Sequence, residues 1–206
     1  MHVDETDDPS AKTLEILARQ TIKNNWYGRV TAGHTCALAG YSDDYADEVI
    51  ELVKDAQIHM ITNPATNLML QGRHDAQPKR RGITRVKELI AEGINVSFGQ
   101  DCVKDTFYPF GRADLLEIAF LTAHAAHLSQ PEEINQVFDM STLNAAKILG
   151  LQNYGTAPDC QADLVILDAV SPVEAITNQV DKSLVIKHGK IISEMKTERK
   201  LHWAPE

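Results

Sequence analysis

The sequence predicts an α/β protein, half of a (β/α)8 TIM barrel followed by a small β-rich annex. Three observations predict it. Strand-like and helix-like segments alternate four times between Met1 and His127. Polar side chains suited to catalysis stand at the carboxyl ends of those strands, where barrel enzymes place their chemistry. Neither GxGxxG nor GxxxxGK[ST], the glycine-rich turns expected of an open doubly wound sheet, is present.

The elements follow in order. Met1 to Thr6 has strand character, and Asp7-Asp8-Pro9-Ser10 opens a helix whose apolar stripe is Leu14, Ile16, Leu17 and Ile22. Gly28 to His34 is a second strand, and Ser42-Asp43-Asp44 caps a helix with a core face of Ala46, Val49, Ile50 and Val53. Ile58 to Pro64 is a third strand, followed by a polar loop of about eighteen residues, a length that usually marks function. A helix from Thr84 to Glu92 stops at Gly93. Ile94 to Asp101 is the fourth strand, and Arg112 to His127 a largely buried helix. Pro131 to Met140 and Leu143 to Leu149 add two helices. Beyond them Ala162 to Asp168 reads as a strand, and Leu184 to Ile192 as a hairpin turning at Gly189. Helix signals mostly end at Asp168, and Lys196 to Glu206 reads as an extended tail.

A complete barrel needs roughly 250 residues, so four units make about half of one. A barrel strand takes roughly four to six residues to cross the core, yet only Met1 precedes the polar His2. The first strand is therefore expected to be cut. Half a barrel leaves two sheet edges and an apolar face uncovered, which invites association with another chain.

Charge and composition exclude some functions. With 29 acidic against 20 basic side chains and a formal charge of -9, the 206-residue chain lacks a phosphate-neutralising footprint. Nucleic acid and anionic membrane are excluded as partners, and no apolar run of membrane-spanning length occurs. A start at Met1-His2-Val3-Asp4-Glu5 is unlike a secretory leader, so a cytoplasmic location is expected. Cys36, Cys102 and Cys160 form no CxxC pair, which argues against a disulfide framework or a cysteine zinc site. Lys79-Arg80-Arg81 is read as a solvated loop or salt-bridge cluster. His124 and His127 are read as packing residues.

The strand ends carry the chemistry. His2 with Glu5, His34, Asn63 and Asp101 each end a different strand. Imidazole and carboxylate converging there suit Zn2+ or Fe2+, and a bound metal makes water nucleophilic near neutral pH. His2 and Asp101 are the ligand candidates, Glu5 a general acid/base, and His34 a group that orients the nucleophile. Cys102, beside Asp101, is read as a pocket wall, since no activating base is evident.

His2-Val3-Asp4-Glu5, Thr31-Ala32-Gly33-His34, Asn63-Pro64, Leu70-Gln71-Gly72-Arg73, Pro78 to Glu88 and Phe98-Gly99-Gln100-Asp101 together resemble the bacterial cytosine deaminases of the amidohydrolase superfamily. Thr142-Leu143-Asn144-Ala145-Ala146, Leu149-Gly150-Leu151 and Ala162 to Leu167 resemble the superfamily's carboxyl-terminal signature, where barrel gives way to β-sandwich. The resemblance implies barrel strands five to eight in residues 1–150, with part of the β-sandwich annex and the tail in 151–206. It implies one divalent metal ion, Fe2+ or Zn2+, with His2 and Asp101 as ligands. Glu5 becomes the proton shuttle, His34 the histidine near the attacking water, and Asp101 also the acceptor of that water's proton. The implied reaction is hydrolytic deamination of a free nucleobase, cytosine giving uracil and ammonia.

Several positions depart from the pattern. The family's His-x-His pair has no counterpart, since no two of the eight histidines stand two residues apart. Cys102 replaces an aspartate and Phe107 a tryptophan, both on the substrate side. Asp159-Cys160-Gln161 replaces a glycine before the Ala-Asp-Leu strand. These differences leave isoguanine, creatinine-like and triazine-like rings as alternative substrates, and an inactive fragment or a non-catalytic binding domain as alternative roles. The expected partners are a nucleobase and either a second copy or a complementary N-terminal half-barrel.

Overall fold

Four short strands, β1 (His2–Val3), β2 (Thr31–His34), β3 (His59–Thr62) and β4 (Val96–Phe98), form a parallel sheet whose order follows the chain. This computed structural model describes residues 1–80, 82–198, 200, 202 and 203. Helix α1 (Thr13–Lys23) connects β1 to β2, and a 3-10 turn at Cys36–Gly40 with α2 (Asp43–Asp55) connects β2 to β3. Helices α3 (Pro64–Leu70) and α4 (Val86–Ala91) lead on to β4. Ala32, Met60 and Val96 lie side by side in register, each without exposed surface. The same register brings Val3 beside His34 and Thr62 beside Phe98, so all four carboxyl ends open at one end of the sheet.

Packing fixes the helices on that sheet. Ala46, Val49, Ile50 and Val53 of α2 are buried as their spacing predicts. In α1 the inner face is Leu14, Ala18 and Thr21, while Ile16 is 58% exposed. Ile16 stands two residues from Leu14, a spacing that cannot share a helix face. Each fully buried aliphatic side chain, Leu14 among them, contributes roughly 1.5–3 kcal/mol.

The opening of α1 also differs from expectation. Asp8 only closes a turn on the Ser10 amide, and the helix begins at Thr13. Its cap is Asp4, which accepts hydrogen bonds from the backbone N–H of Thr13 at 3.0 Å and of Leu14 at 2.9 Å. A φ of +45° at Asp4 turns the chain there, and the carboxylate meets the positive end of the helix. Strand β1 accordingly stops at Val3.

After β3 the expected long loop is shortened by α3. Asn63 followed by Pro64 at the first helical position is a helix start that strand reading concealed. Helix α4 does stop before Gly93, whose φ is +74°. Helices α5 (Leu115–Ala125), α6 (Pro131–Met140) and α7 (Leu143–Ile148) then cover β4, which is buried along its length.

A second sheet is antiparallel, formed by β5 (Leu164–Leu167), β6 (Lys182–Lys187) and β7 (Lys190–Glu194). His188 and Gly189 both take positive φ, as a two-residue hairpin turn requires. Between β5 and β6 lies α8 (Pro172–Asn178), in a stretch where no helix was expected. Ser171 caps it by accepting the Glu174 amide, and Ala175 and Ile176 bury against α5 and α6. Arg81 and part of the expected tail, residues 199, 201 and 204–206, lie outside the described residues. No helix among the described residues is long and apolar enough to cross a membrane.

Candidate active site

The carboxyl ends of β1 and β2 bring His2, Glu5 and His34 together. One ligand atom from each lies within 4.8 Å of the others. Glu5 spans the pair, with Oε2 3.1 Å from His2 Nδ1 and Oε1 3.4 Å from His34 Nδ1. The two imidazole centroids are 4.5 Å apart. His2 faces solvent, whereas His34 is 1% exposed.

His34 is held from several sides. The Asn63 side-chain nitrogen approaches its two ring nitrogens at 3.3 and 3.2 Å, and that of Asn67 lies 3.2 Å from Nδ1. Burial lowers the pKa of His34, opposed by the negative charges of Glu5 and Asp101. The backbone is bent where these groups meet. Asp4, His34, Thr35 and Asp101 all have positive φ, which for a β-branched threonine is costly. Thr35 is secured by its amide to the Val3 carbonyl at 2.8 Å and by its hydroxyl to Thr84 at 2.8 Å.

Gly99 explains how Asn63 fits. A Cβ at Gly99 would stand 2.7 Å from Asn63 Oδ1, closer than real Cβ contacts come. The glycine after β4 thus leaves room for the amide that flanks His34.

Asp101 follows β4 and is exposed, and it is not one of the three closely grouped ligand residues. Its charge nevertheless acts on the His34 ring. Cys102 is half-buried, and burial raises its thiol pKa, so it stays protonated and poorly nucleophilic. Phe107 is 56% exposed in the loop beyond, its amide held by Asp105 Oδ1 at 2.9 Å. His124 is engaged through Nδ1 with the Phe120 carbonyl at 2.8 Å. Asn63 stood among the strand-end residues, but its contact with His34 went unforeseen. Asn67 was missed entirely, although it lies four residues on and shares a helical face with Asn63.

Around this end of the sheet, Thr62 Oγ1, Thr66 Oγ1, Asn67 Oδ1 and Gln100 Oε1 are buried without hydrogen-bond partners. Buried polar atoms in folded proteins nearly always have a partner, be it protein, water or an ion. Imidazole and carboxylate are also a donor set that divalent transition metals accept. The residues fit a metal ion.

Comparison with known proteins decides the family. A profile of the amidohydrolase family matches residues 1–193. The chain belongs to the amidohydrolase family. A crystal structure of 5-methylcytosine deaminase from Klebsiella pneumoniae, liganded with 5-fluorocytosine, is 39% identical and superposes with a TM-score of 0.93 over 98% of this chain and 49% of that one. Pterin deaminase of Rhizobium rhizogenes is 34% identical over 194 residues, 93% of this chain and 44% of its own. N-isopropylammelide isopropyl amidohydrolase of Pseudomonas sp. strain ADP is 30% identical over 192 residues, again 93% and 44%. This amidohydrolase chain spans about half the length of these relatives.

Proposed function

We propose that this chain is the carboxyl-terminal half of a metal-dependent hydrolytic deaminase that acts on amine-bearing nucleobase rings, cytosine-like pyrimidines first. One observation carries the reading. Glu5 joins two imidazoles at parallel strand ends in a chain 39% identical to 5-methylcytosine deaminase. In this reading β1 to β4 are strands five to eight of an eight-stranded barrel. The other four strands of that barrel would close the edges at β1 and β4 and supply the further ligands.

His2 and Asp101 would hold the ion, Fe2+ or Zn2+. Such a cation lowers the pKa of coordinated water toward neutrality and so supplies a nucleophile. Asp101 would take up a proton from the attacking water. Glu5 delivers a proton to the ring nitrogen beside the amine-bearing carbon. Buried His34, kept neutral by burial and flanked by Asn63 and Asn67, would help to orient the attacking water. Water would add to the ring carbon, the proton held by Asp101 would pass to the amine, which leaves as ammonia, and the adduct hydroxyl would return a proton to Glu5 as the ring carbonyl forms. Cys102 and Phe107 form the substrate side.

The test is ammonia release from cytosine, 5-methylcytosine and pterin by the metal-loaded chain, alone and with the N-terminal half of a relative. Glu5→Gln should retain metal while turnover falls about 10²–10⁴-fold, the usual worth of general acid–base catalysis. Unchanged turnover refutes the shuttle, and absence of turnover in the completed wild type refutes the enzyme reading in favour of a non-catalytic domain. A second reading, deamination or amine hydrolysis of pterin-like or triazine-like rings, is favoured by the relatives at 34% and 30% identity. It predicts that pterin or an ammelide outcompetes cytosine.

A further inference from the structure

The connection between β1 and α1 carries Glu5, and the sheet does not hold it. It is secured at two points on either side of Glu5. On one side the Asp4 carboxylate binds the first amides of α1, and the Asp4 carbonyl accepts the Ala37 amide at 3.3 Å. On the other side a loop from α3 to α4 reaches across. Arg80 Nη1 donates to the Asp7 carbonyl at 3.1 Å, and Gln71 Nε2 lies 3.5 Å from the Glu5 carbonyl.

The guanidinium is itself braced. Arg80 Nε and Nη2 donate to the two Asp75 oxygens at 2.8 and 2.9 Å, a forked pair that fixes the plane of the group. That pairing holds the Asp75 carboxyl down to a pKa of about 2, so it remains ionised across the working range. The loop closes tightly enough that a Cβ at Gly72 would overlap the Arg80 carbonyl oxygen, and Gly72 has a φ of +64°. Three of the guanidinium nitrogens are thereby engaged, two by Asp75 and one by the chain that carries Glu5.

We infer that Arg80 is a positioning residue for Glu5: braced by Asp75, it pins the Asp7 carbonyl and so fixes the backbone from which the Glu5 carboxylate reaches both imidazoles. The role assigned to Glu5 rests on the deaminase reading, but the clasp itself is a property of the chain. Lysine cannot replace Arg80, because an ammonium has no fork to satisfy Asp75 and the Asp7 carbonyl together.

Hydrogen exchange in this chain, read by mass spectrometry over residues 4–10, tests the clasp directly. Arg80→Ala and Arg80→Lys should each speed exchange there about tenfold, the effect of losing one charge-assisted hydrogen bond to a local opening. Exchange in α2 should stay unchanged. Millimolar guanidinium should restore protection to Arg80→Ala but leave Arg80→Lys unchanged. In the completed, metal-loaded enzyme the same variants should lower kcat about tenfold with KM within about twofold, because the shuttle moves while the ring pocket does not. Unaltered exchange over 4–10 overturns the clasp, whatever the activity. Faster exchange with kcat unchanged in an active enzyme overturns the positioning role. An inactive wild type counts against the deaminase reading alone, and the exchange result still decides the clasp.

Discussion

Replacing Gly99 by alanine puts the support of His34 to a direct test. The added Cβ would meet Asn63 Oδ1 at 2.7 Å, where ordinary contact begins at 3.4 Å, so the amide must retreat by about 0.7 Å. Its nitrogen now stands 3.2–3.3 Å from the two ring nitrogens of a histidine with 1% exposure, and a retreat of that size breaks the interaction. Losing one such hydrogen bond costs about 1 kcal/mol, and overpacking adds roughly 1–3 kcal/mol. Urea denaturation should therefore report a lower midpoint and an unchanged slope, with a total loss of about 2–4 kcal/mol. The decisive comparison is the double variant. With Asn63→Ala already present, the obstruction is gone and Gly99→Ala should cost much less, giving a coupling above about 1 kcal/mol. Strictly additive losses would show that Gly99 serves some purpose other than making room for Asn63.

Other changes follow from the same geometry. Asp4→Ala strips the cap from α1 and leaves the Thr13 and Leu14 amides without their partner, at about 2 kcal/mol in urea denaturation; a loss under about 0.5 kcal/mol would remove the cap from the account. The lowered pKa of His34 sets a pH dependence. Below the unfolded value of 6.5 the unfolded chain binds the proton that the folded chain refuses, so stability is level above 6.5 and falls as pH drops from 6.5 toward the folded pKa. Unfolding midpoints compared between wild type and His34→Gln should show that loss in the wild type alone, and parallel curves would contradict it.

Much of this fold was legible because the signals were periodic. The four-residue faces of α2 and the break at Gly93 follow from spacing and glycine alone, as does the hairpin at His188-Gly189. What escaped depended on short-range competition. Asn63-Pro64 can end a strand or begin a helix, and only packing chose the helix. Ser171-Pro172 carried a cap and a first-turn proline beyond Asp168, where helix signals mostly end. Asp7 and Asp8 offered the expected acidic cap for α1, but positive φ at Asp4 delivered a carboxylate from nine residues upstream of Thr13. Such a backbone angle has no linear signature in an aspartate.

The site was legible to a similar depth. His2, Glu5 and His34 could be found because each stands in or just after a short strand, and parallel strands in chain order bring their carboxyl ends together. Their bridging by Glu5, the amide contacts of Asn63 and Asn67, and the hold of Arg80 on the Asp7 carbonyl depend on side-chain placement. The run Lys79-Arg80-Arg81 read as a solvated loop or a salt-bridge cluster, and Arg80 forms the latter, joined to Asp75 and Asp7. Its contact with the Glu5-bearing connection became visible only in three dimensions.

Convergence of these strand ends on a single cation is the claim on which the proposed chemistry stands, and anomalous diffraction from zinc-loaded crystals of the completed protein measures it. The account predicts one peak about 2.0–2.2 Å from a His2 imidazole nitrogen and from an Asp101 oxygen, with Glu5 turned toward the ring site. A peak elsewhere, or one that His2 binds while Asp101 remains in solvent, would contradict it.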